Sequence, residues 1–332
     1  MSQYLFVCSG GGHLKQLFTL AKRFGIAPED QHWVTFDNGL SRSLLADRRV
    51  TYSRFAAPRD ALPILRNSAL AHGILKRGGY DAVFSTGSSP AVSFMPEASL
   101  RGIPCHYIES AARADGPSMT GKIISKIKNV STYTQYPAWA DERWQFGGSI
   151  FDAYVSGPAR EVSSISKAVV SVGTQDGYPF DRLFTALVPL LTGVDTLWQS
   201  GLADVSQHGI QGRASVPHHE LQEAVAEADV VIAHSGTGAA VTAIEAGKMP
   251  ILVPRLAKHG EHIDDHQLQI ARELDRRGLA IAASVEELDE ALLLRAARMS
   301  TGFATEVPAF RFYEGRERLP EVAPVAREAR TA

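Results

Sequence analysis

The chain has 332 residues, of which 45% are hydrophobic and 21% charged, with a formal net charge of −2. That length suffices for two domains of ordinary size, the composition is that of a soluble globular protein, and the near-neutral balance argues against a nucleic-acid binder, which would be basic. Only Cys8 and Cys105 occur as cysteines, which excludes a disulfide framework and a cysteine-based zinc site and leaves two thiols expected to be buried in a reducing compartment.

Met1 is followed by strand-like sequence rather than a charged and then apolar leader. No apolar run approaches the roughly 18 residues needed to span a bilayer. The expected location is cytoplasmic, at most peripheral to a membrane. Tyr4–Cys8 reads as an apolar strand opening into Ser9-Gly10-Gly11-Gly12-His13, followed by a helix with apolar positions Leu14, Leu17, Phe18 and Ala21. Further strands are expected at His32–Phe36, Ala82–Ser85 and Cys105–Ile108, alternating with helical stretches that include the leucine-rich Leu62–Lys76. In Ser118–Val130, Met119, Ile123 and Ile127 recur at four-residue intervals beside Lys122 and Lys126. Such a helix either lies at an anionic lipid surface or packs on a core with a solvated lysine edge.

Around Tyr154–Ile165 the sequence becomes small, polar and proline-containing, as an interdomain linker would. A second series starts at Ala168–Val172, which runs into Gly173-Thr174-Gln175-Asp176-Gly177, and continues through Thr196–Gln199, Val230–Ala233 and Ile251–Val253. The expected domains are 1–155, a linker at 156–166, 167–304, and a segment 305–332 that is either packed back or a mobile tail. Strands alternating with helices in both halves give an α/β fold class, two doubly wound parallel-sheet domains of Rossmann type. Ligands of such sheets sit beyond the carboxyl ends of the strands, where both glycine turns are expected.

The most informative stretch is Ala228–Pro250. A buried strand enters Ser235-Gly236-Thr237-Gly238, and a helix then runs to Gly247. Small residues at such a turn let a ligand approach the backbone, and the free N–H groups of the first helical turn favour an anion, most commonly a diphosphate. The alternative is a turn that merely packs tightly. Glu245 lies on the same helical face as Gly238 and roughly 10 Å further along, a distance suited to a nucleotide ribose. A polar loop with His259, His262, Asp264, Asp265, His266 and Gln267 follows the strand ending at Pro254. Its histidines at i and i+4 raise a metal site as an alternative, but the chain has no Asp-x-Asp pair, and no metal is expected. Gly10–Gly12 fails the dinucleotide fingerprint because Lys15 stands at the third glycine position; Asp37 alone favours a nicotinamide cofactor.

Taken in order, these features resemble the C-terminal half of family-28-type glycosyltransferases, which include the peptidoglycan N-acetylglucosaminyltransferase and the catalytic subunit of the two-subunit enzyme acting on dolichol-pyrophosphate-GlcNAc. The resemblance implies the GT-B arrangement, two domains facing a cleft. It implies that Ser235, Gly236, Thr237 and Gly238 hold the donor diphosphate, that Glu245 binds ribose hydroxyls, and that Gln267, with His266 before it, contacts the donor sugar. Gly173 and Thr174 would stabilise the departing diphosphate, and Gln199 would border the nucleotide. The N-terminal half resembles the membrane-recruiting partner subunit of the same enzymes, through Ser9–His13, Ser85-Thr86-Gly87, Tyr107-Ile108-Glu109-Ser110, Arg113 and Thr120-Gly121-Lys122. The two subunits would then be fused in one chain; the resemblance extends to bacterial capsule and exopolysaccharide systems, which use the same pair of subunits to extend a lipid-linked sugar.

Together the resemblances cover most of residues 2–285. They imply an inverting, metal-independent transfer from a UDP-sugar to a polyprenyl-pyrophosphate-linked saccharide, with no cofactor beyond the co-substrate and a peripheral contact with the inner membrane face. Ser9, Gly10, Gly11 and Gly12 would face the acceptor. His13 is expected either to act as the base or to hydrogen-bond the acceptor or cap its loop. Glu109 is the second candidate base, its alternative a structural carboxylate. A UDP-GlcNAc 2-epimerase of the related GT-B type and a non-catalytic recruiting module are the rival functions. GlcNAc, glucuronic acid, galactose and glucose all stand as the transferred sugar.

Overall fold

Runs of β-branched and aromatic residues buried on both faces form the strands of two parallel sheets in the computed structural model, which describes residues 2–55, 61–173, 178–314 and 317–318. The chain divides into two units, Met1–Asp152 with Val307–Ala332, and Ala153–Glu306. In the first unit the strands are β1 (Tyr4–Cys8), β2 (Gln31–Phe36), β3 (Arg49–Ser53), β4 (Ala82–Gly87), β5 (Cys105–Ile108), β6 (Val130–Thr134) and β7 (Trp144–Phe146). They pair in parallel in the order β3-β2-β1-β4-β5-β6-β7. Helices α1 (Gly12–Ala21), α2 (Gly39–Leu44), α3 (Ala61–Lys76), α4 (Ser89–Leu100) and α5 (Met119–Ile124) belong to this unit.

The second unit repeats the plan. Strand β8 (Tyr154–Ser156) is followed by β9 (Lys167–Ser171), β10 (Asp195–Gln199), β11 (Gly212–Arg213), β12 (Val230–His234), β13 (Ile251–Val253), β14 (Ile281–Ala282) and β15 (Thr301–Phe303). The sheet order is β11-β10-β9-β12-β13-β14, again parallel, while β8 pairs with β15 antiparallel. Its helices are α6 (Asp181–Leu190), α7 (His218–Glu227), α8 (Thr237–Glu245), α9 (His266–Arg276) and α10 (Glu290–Arg298). The α/β class with two doubly wound sheets is therefore the fold of this chain. In each sheet the strand order reverses once, between β1 and β4 and between β9 and β12. A reversal sends the two flanking connections to opposite faces and opens a crevice at the carboxyl ends of those strands.

Apolar side chains on either side of each sheet build the cores. Leu5, Val7, Val83, Phe94 and Tyr107 pack together in the first unit, and Val170, Phe184, Ile232 and Ile251 in the second. Cys8 and Cys105 are buried free thiols, both pushed up to about 12 by burial.

Two expectations change. The helix read across Ser118–Val130 ends at Ile124, because Arg143 donates to the carbonyls of Ser125, Ile127 and Val130 at 2.8, 3.0 and 2.7 Å. Those acceptors are satisfied by a guanidinium instead of a continuing helix. Tyr154–Ser156, assigned to the end of the first domain and the start of the linker, is a strand of the second unit, since β15 supplies its ladder partners.

The segment from Val307 packs with the first unit. Arg23 Nε donates to the Pro308 carbonyl at 2.8 Å, and the Phe310 amide returns to the Arg23 carbonyl at 3.1 Å. Phe312 then meets Phe24, Phe84 and His106 at ring separations of 4.9, 5.4 and 4.9 Å. Residues 315–316 and 319–332 of the expected tail lie outside the described residues.

His106 is stacked on Phe84 and lies 3.0 Å from Tyr133 Oη, and burial lowers its pKa to about 4. In the unfolded chain it titrates near 6.5. Between those values the unfolded state binds a proton that the folded state refuses, so stability present above pH 6.5 is lost as pH falls toward 4, by about 1.4 kcal/mol per pH unit for this group. Urea unfolding from pH 7 to 4.5 is expected to show stability falling with pH, with a slope shallower by about one proton in His106→Gln; His32, His234 and His262, also lowered to about 4, supply the rest.

Candidate functional site

The crevice of the first unit lies between the ends of β1 and β4. After Cys8 the chain turns through Ser9, Gly10 and Gly11, and α1 begins at Gly12 with no side-chain cap on its first amides. Gly11 has φ 71° and ψ −134°, a conformation open to glycine alone. A Cβ at Gly10 would lie 2.1 Å from Asn38 Nδ2.

His13, in the first turn of α1, is clamped to the end of β4. Its Nδ1 lies 2.7 Å from the Thr86 carbonyl, and Thr86 Oγ1 donates to the His13 carbonyl at 2.9 Å. A carbonyl only accepts, so Nδ1 carries the proton and Nε2 keeps its lone pair. Burial holds the imidazole below its ordinary pKa; the Thr86 carbonyl opposes this and the charge of Arg113 adds to it. The group is thus a neutral base at physiological pH.

Glu109, directly after β5, is 1% exposed. Its Oε1 accepts from the Ser110 amide at 2.9 Å, and its Oε2 from the Ser118 amide and hydroxyl at 2.9 and 3.0 Å. Burial raises its pKa while those donors lower it. Three donors on a carboxylate withdrawn from solvent describe an anchor for the loop from Glu109 to Ser118, not a group open to an incoming hydroxyl.

The crevice of the second unit lies between the ends of β9 and β12. Strand β12 finishes at His234, Ser235 and Gly236 form the turn, and α8 starts at Thr237, again with no side-chain cap. Ser235 Oγ and Thr237 Oγ1 are both buried and have no hydrogen-bond partner among the described residues. Interiors seldom leave hydroxyls unpaired, and two of them flank Gly236 at a helix N-terminus. The His234 ring fills the space beneath: a Cβ at Gly236 would stand 2.3 Å from its Nε2, and one at Gly173 (φ 72°) 2.8 Å from its Cε1. Burial, and next the charge of Arg255, lower His234 to about 4.

At the far end of α8, Tyr154 Oη donates to Glu245 Oε1 at 3.0 Å, which fixes the carboxylate; burial, and next the Glu245 charge, raise the phenol's pKa. Gln199, the last residue of β10, accepts from Ser171 Oγ at 2.5 Å. Gln267, in the first turn of α9, is buried and accepts from the Arg255 amide at 3.0 Å, so it also ties down the loop after β13. His266 Nδ1 is hydrogen-bonded to Asp264 Oδ1. The His262 ring stands edge-on to that of His266 at 4.5 Å and stacks on Tyr178 at 5.5 Å. The ligand atoms of His262, Asp264 and His266 fall within 4.8 Å of one another, a set that could take a zinc ion. Asp265 is engaged elsewhere, accepting from the Ala257 amide at 2.8 Å.

The structure thus gathers Gly173, Ser235, Gly236, Thr237 and Gly238 around one pair of strand ends, and Ser9, Gly10, Gly11, Gly12 and His13 around another. Thr174, with Gln175, Asp176 and Gly177 of the same turn, lies outside the described residues. Asp37 is paired with Arg42 on the surface at 2.7 Å. Sequence reasoning missed His234, Tyr154 and Arg255. His234 had a signal in its place directly before the Ser-Gly turn; the other two reach their partners across the fold and had none.

Residues 168–311 match the Glycosyltransferase family 28 C-terminal domain. Over 88 residues, 26% of this chain and 42% of the relative, the sequence is 32% identical to the UDP-N-acetylglucosamine transferase subunit ALG13 of Cryptococcus neoformans var. neoformans serotype D. The match therefore spans less than half the length of that relative. Among solved structures, Acinetobacter baumannii MurG is similar over 89% of each chain, with a TM-score of 0.58 and 19% identity. The UDP-GlcNAc 2-epimerase of Methanocaldococcus jannaschii is similar over 95% of this chain and 97% of its own, with a TM-score of 0.58 and 10% identity.

A methyl group at position 236 would have to displace His234. Gly236→Ala is expected to destabilise the protein by about 1–3 kcal/mol, and His234→Ala in the same chain to recover part of that loss. Chemical denaturation of the two single variants and the double variant measures the coupling.

Proposed function

For a chain that carries the C-terminal domain of family 28 glycosyltransferases on a GT-B fold, we propose an inverting transfer of a sugar from a UDP-sugar to a polyprenyl-pyrophosphate-linked saccharide. The observation that carries this reading is the start of α8, where two buried hydroxyls without a partner among the described residues flank a glycine and Glu245 follows on the same helix. Unpaired buried donors beside a helix N-terminus suit the oxygens of a diphosphate. Glu245, oriented by Tyr154, takes the ribose hydroxyls. Gln267 and His266 border the donor sugar, and Gly173, Thr174 and Gln199 the nucleotide.

The acceptor pyrophosphate is assigned to the Ser9–Gly12 turn. His13 Nε2 takes the proton of the acceptor hydroxyl as its oxygen bonds to the anomeric carbon. The bond from that carbon to the diphosphate breaks on the opposite face, and its electron pair leaves with UDP. Glu109 serves as the loop anchor beside this base. No metal enters the scheme, since helix amides and hydroxyls supply the stabilisation of the leaving group.

No helix among the described residues is long and apolar enough to cross a membrane. Met119 and Ile123 of α5 stand exposed beside Lys122 and Lys126, and Phe55, Leu62 and Leu65 are exposed near the start of α3. We assign these apolar and basic side chains to interfacial contact with the inner membrane face, where a polyprenyl acceptor would be found.

UDP and one UDP-sugar are expected to raise the melting temperature, with about 2.7 kcal/mol of stabilisation at a hundredfold excess over Kd, and NAD is expected to have no effect. His13→Ala should lower kcat about 10²- to 10⁴-fold without changing UDP affinity. Because the base acts in its neutral form and its pKa is lowered, wild-type kcat should hold as pH falls through 6.5 and decline only below that. Tyr154→Phe should raise KM for the donor and leave kcat nearly unchanged. Interconversion of UDP-GlcNAc with its 2-epimer in the absence of acceptor would instead support the epimerase reading. Full biological activity of Glu245→Ala would support a recruiting module.

A further inference from the structure

Arg255 follows β13 by two residues, and its side chain crosses the carboxyl edge of the sheet. β13 neighbours β12, and β12 neighbours β9. The guanidinium, whose charge is felt at His234 at the end of β12, donates through Nη2 to the carbonyl of Val172, next to β9, at 2.8 Å. It therefore lies at the root of the Gly173 turn, beside the ring that supports Gly236. Phe180 presents its face 5.7 Å from Cζ. The residue is 1% exposed, yet Nε and Nη1 have no partner among the described residues.

A buried guanidinium normally has a counter-ion and uses most of its five N–H groups. Among the described residues the acidic group whose attraction is felt at Arg255 is Glu261. Glu261 is already held by Arg182 through both oxygens, at 2.6 and 3.2 Å, and also accepts from the Leu256 amide at 3.0 Å. His234 is neutral at physiological pH and offers no charge in return. Among the described residues, then, two nitrogens of this cation are uncommitted, close in the fold to the Ser235 and Thr237 hydroxyls, which likewise have no partner there.

Resting on the nucleotide-diphosphate reading above, we propose that Arg255 binds the second phosphate of the donor through Nε and Nη1, and so makes the site selective for nucleoside diphosphates over monophosphates. The bidentate edge of a guanidinium matches two oxygens of one phosphate. The same contact meets the oxygen that receives the electron pair when the bond to the anomeric carbon breaks. Arg255 then supplies the positive charge that a divalent cation supplies in metal-dependent transferases.

The test is calorimetric titration of UDP and UMP into the wild-type protein, Arg255→Lys and Arg255→Gln, each first checked for cooperative unfolding. The wild type is expected to prefer UDP over UMP by about tenfold or more, and both variants to lose most of that preference while keeping their UMP affinity. An unchanged UDP to UMP ratio in a folded variant would reduce Arg255 to a brace for the Val172–Gly173 turn and overturn the proposal. Failure of the wild type to bind either nucleotide would overturn the underlying reading, a separate result. Should both variants fail to fold, inorganic pyrophosphate decides: it must displace UDP from the wild type more effectively than phosphate at matched ionic strength. Equal potency of the two anions would contradict the proposal.

Discussion

A histidine wedged against glycine is the constraint on which the crevice of the second unit depends. In the second unit the His234 ring occupies the volume that side chains at Gly173 and Gly236 would need, so the ends of β9 and β12 can approach only as glycine turns. In the first unit His13 reaches from α1 to the end of β4, where the space beside Gly87 is taken by Tyr107, whose Oη a Cβ there would meet at 2.8 Å. Both rings sit where the strand order of their sheet reverses. Both are kept neutral by burial, so each fills space and makes hydrogen bonds without adding charge to a turn whose amides already favour an anion.

Charge in the second unit is arranged around that neutral ring. Arg182 and Glu261 satisfy each other, Asp264 holds His266, and Gln267 is committed through its carbonyl oxygen to the Arg255 backbone. Around the start of α8 and the Gly173 turn, the donors without a partner among the described residues are the hydroxyls of Ser235 and Thr237 and two nitrogens of Arg255; elsewhere in the unit His208 Nε2 and Gln269 Oε1 also lack one. Unsatisfied polar groups of this kind are costly in an interior, and a protein retains them where a ligand completes them. The same accounting in the first unit gives the opposite result for Glu109, whose two oxygens are filled by the Ser110 and Ser118 donors.

The sequence carried the local features well and the long-range ones poorly. Strands such as Tyr4–Cys8, Cys105–Ile108 and Ile251–Val253 were legible because they are apolar on both faces, as strands of a covered parallel sheet must be. Arg49–Ser53 and Val130–Thr134 were not, because edge exposure and buried hydroxyls dilute the apolar signal. The four-residue apolar spacing in Ser118–Val130 promised a long helix, but Arg143, distant in sequence, intercepts its carbonyls. The glycine turns and Glu245 were readable because a turn and its helix are contiguous. Tyr154 and Arg255 act across 91 and 83 residues, on Glu245 and on Val172, and no spacing rule reaches that far.

The central claim is that a nucleotide diphosphate sits on the first turn of α8, and amide hydrogen exchange with and without UDP tests it most directly. The account predicts slowed exchange in the peptides spanning Ser235–Ala240 and Val172–Gly173, with the amides of the Ser9–Gly12 turn unchanged. Protection by NAD at Ser9–Gly12, with no change around Ser235 in UDP, would contradict it.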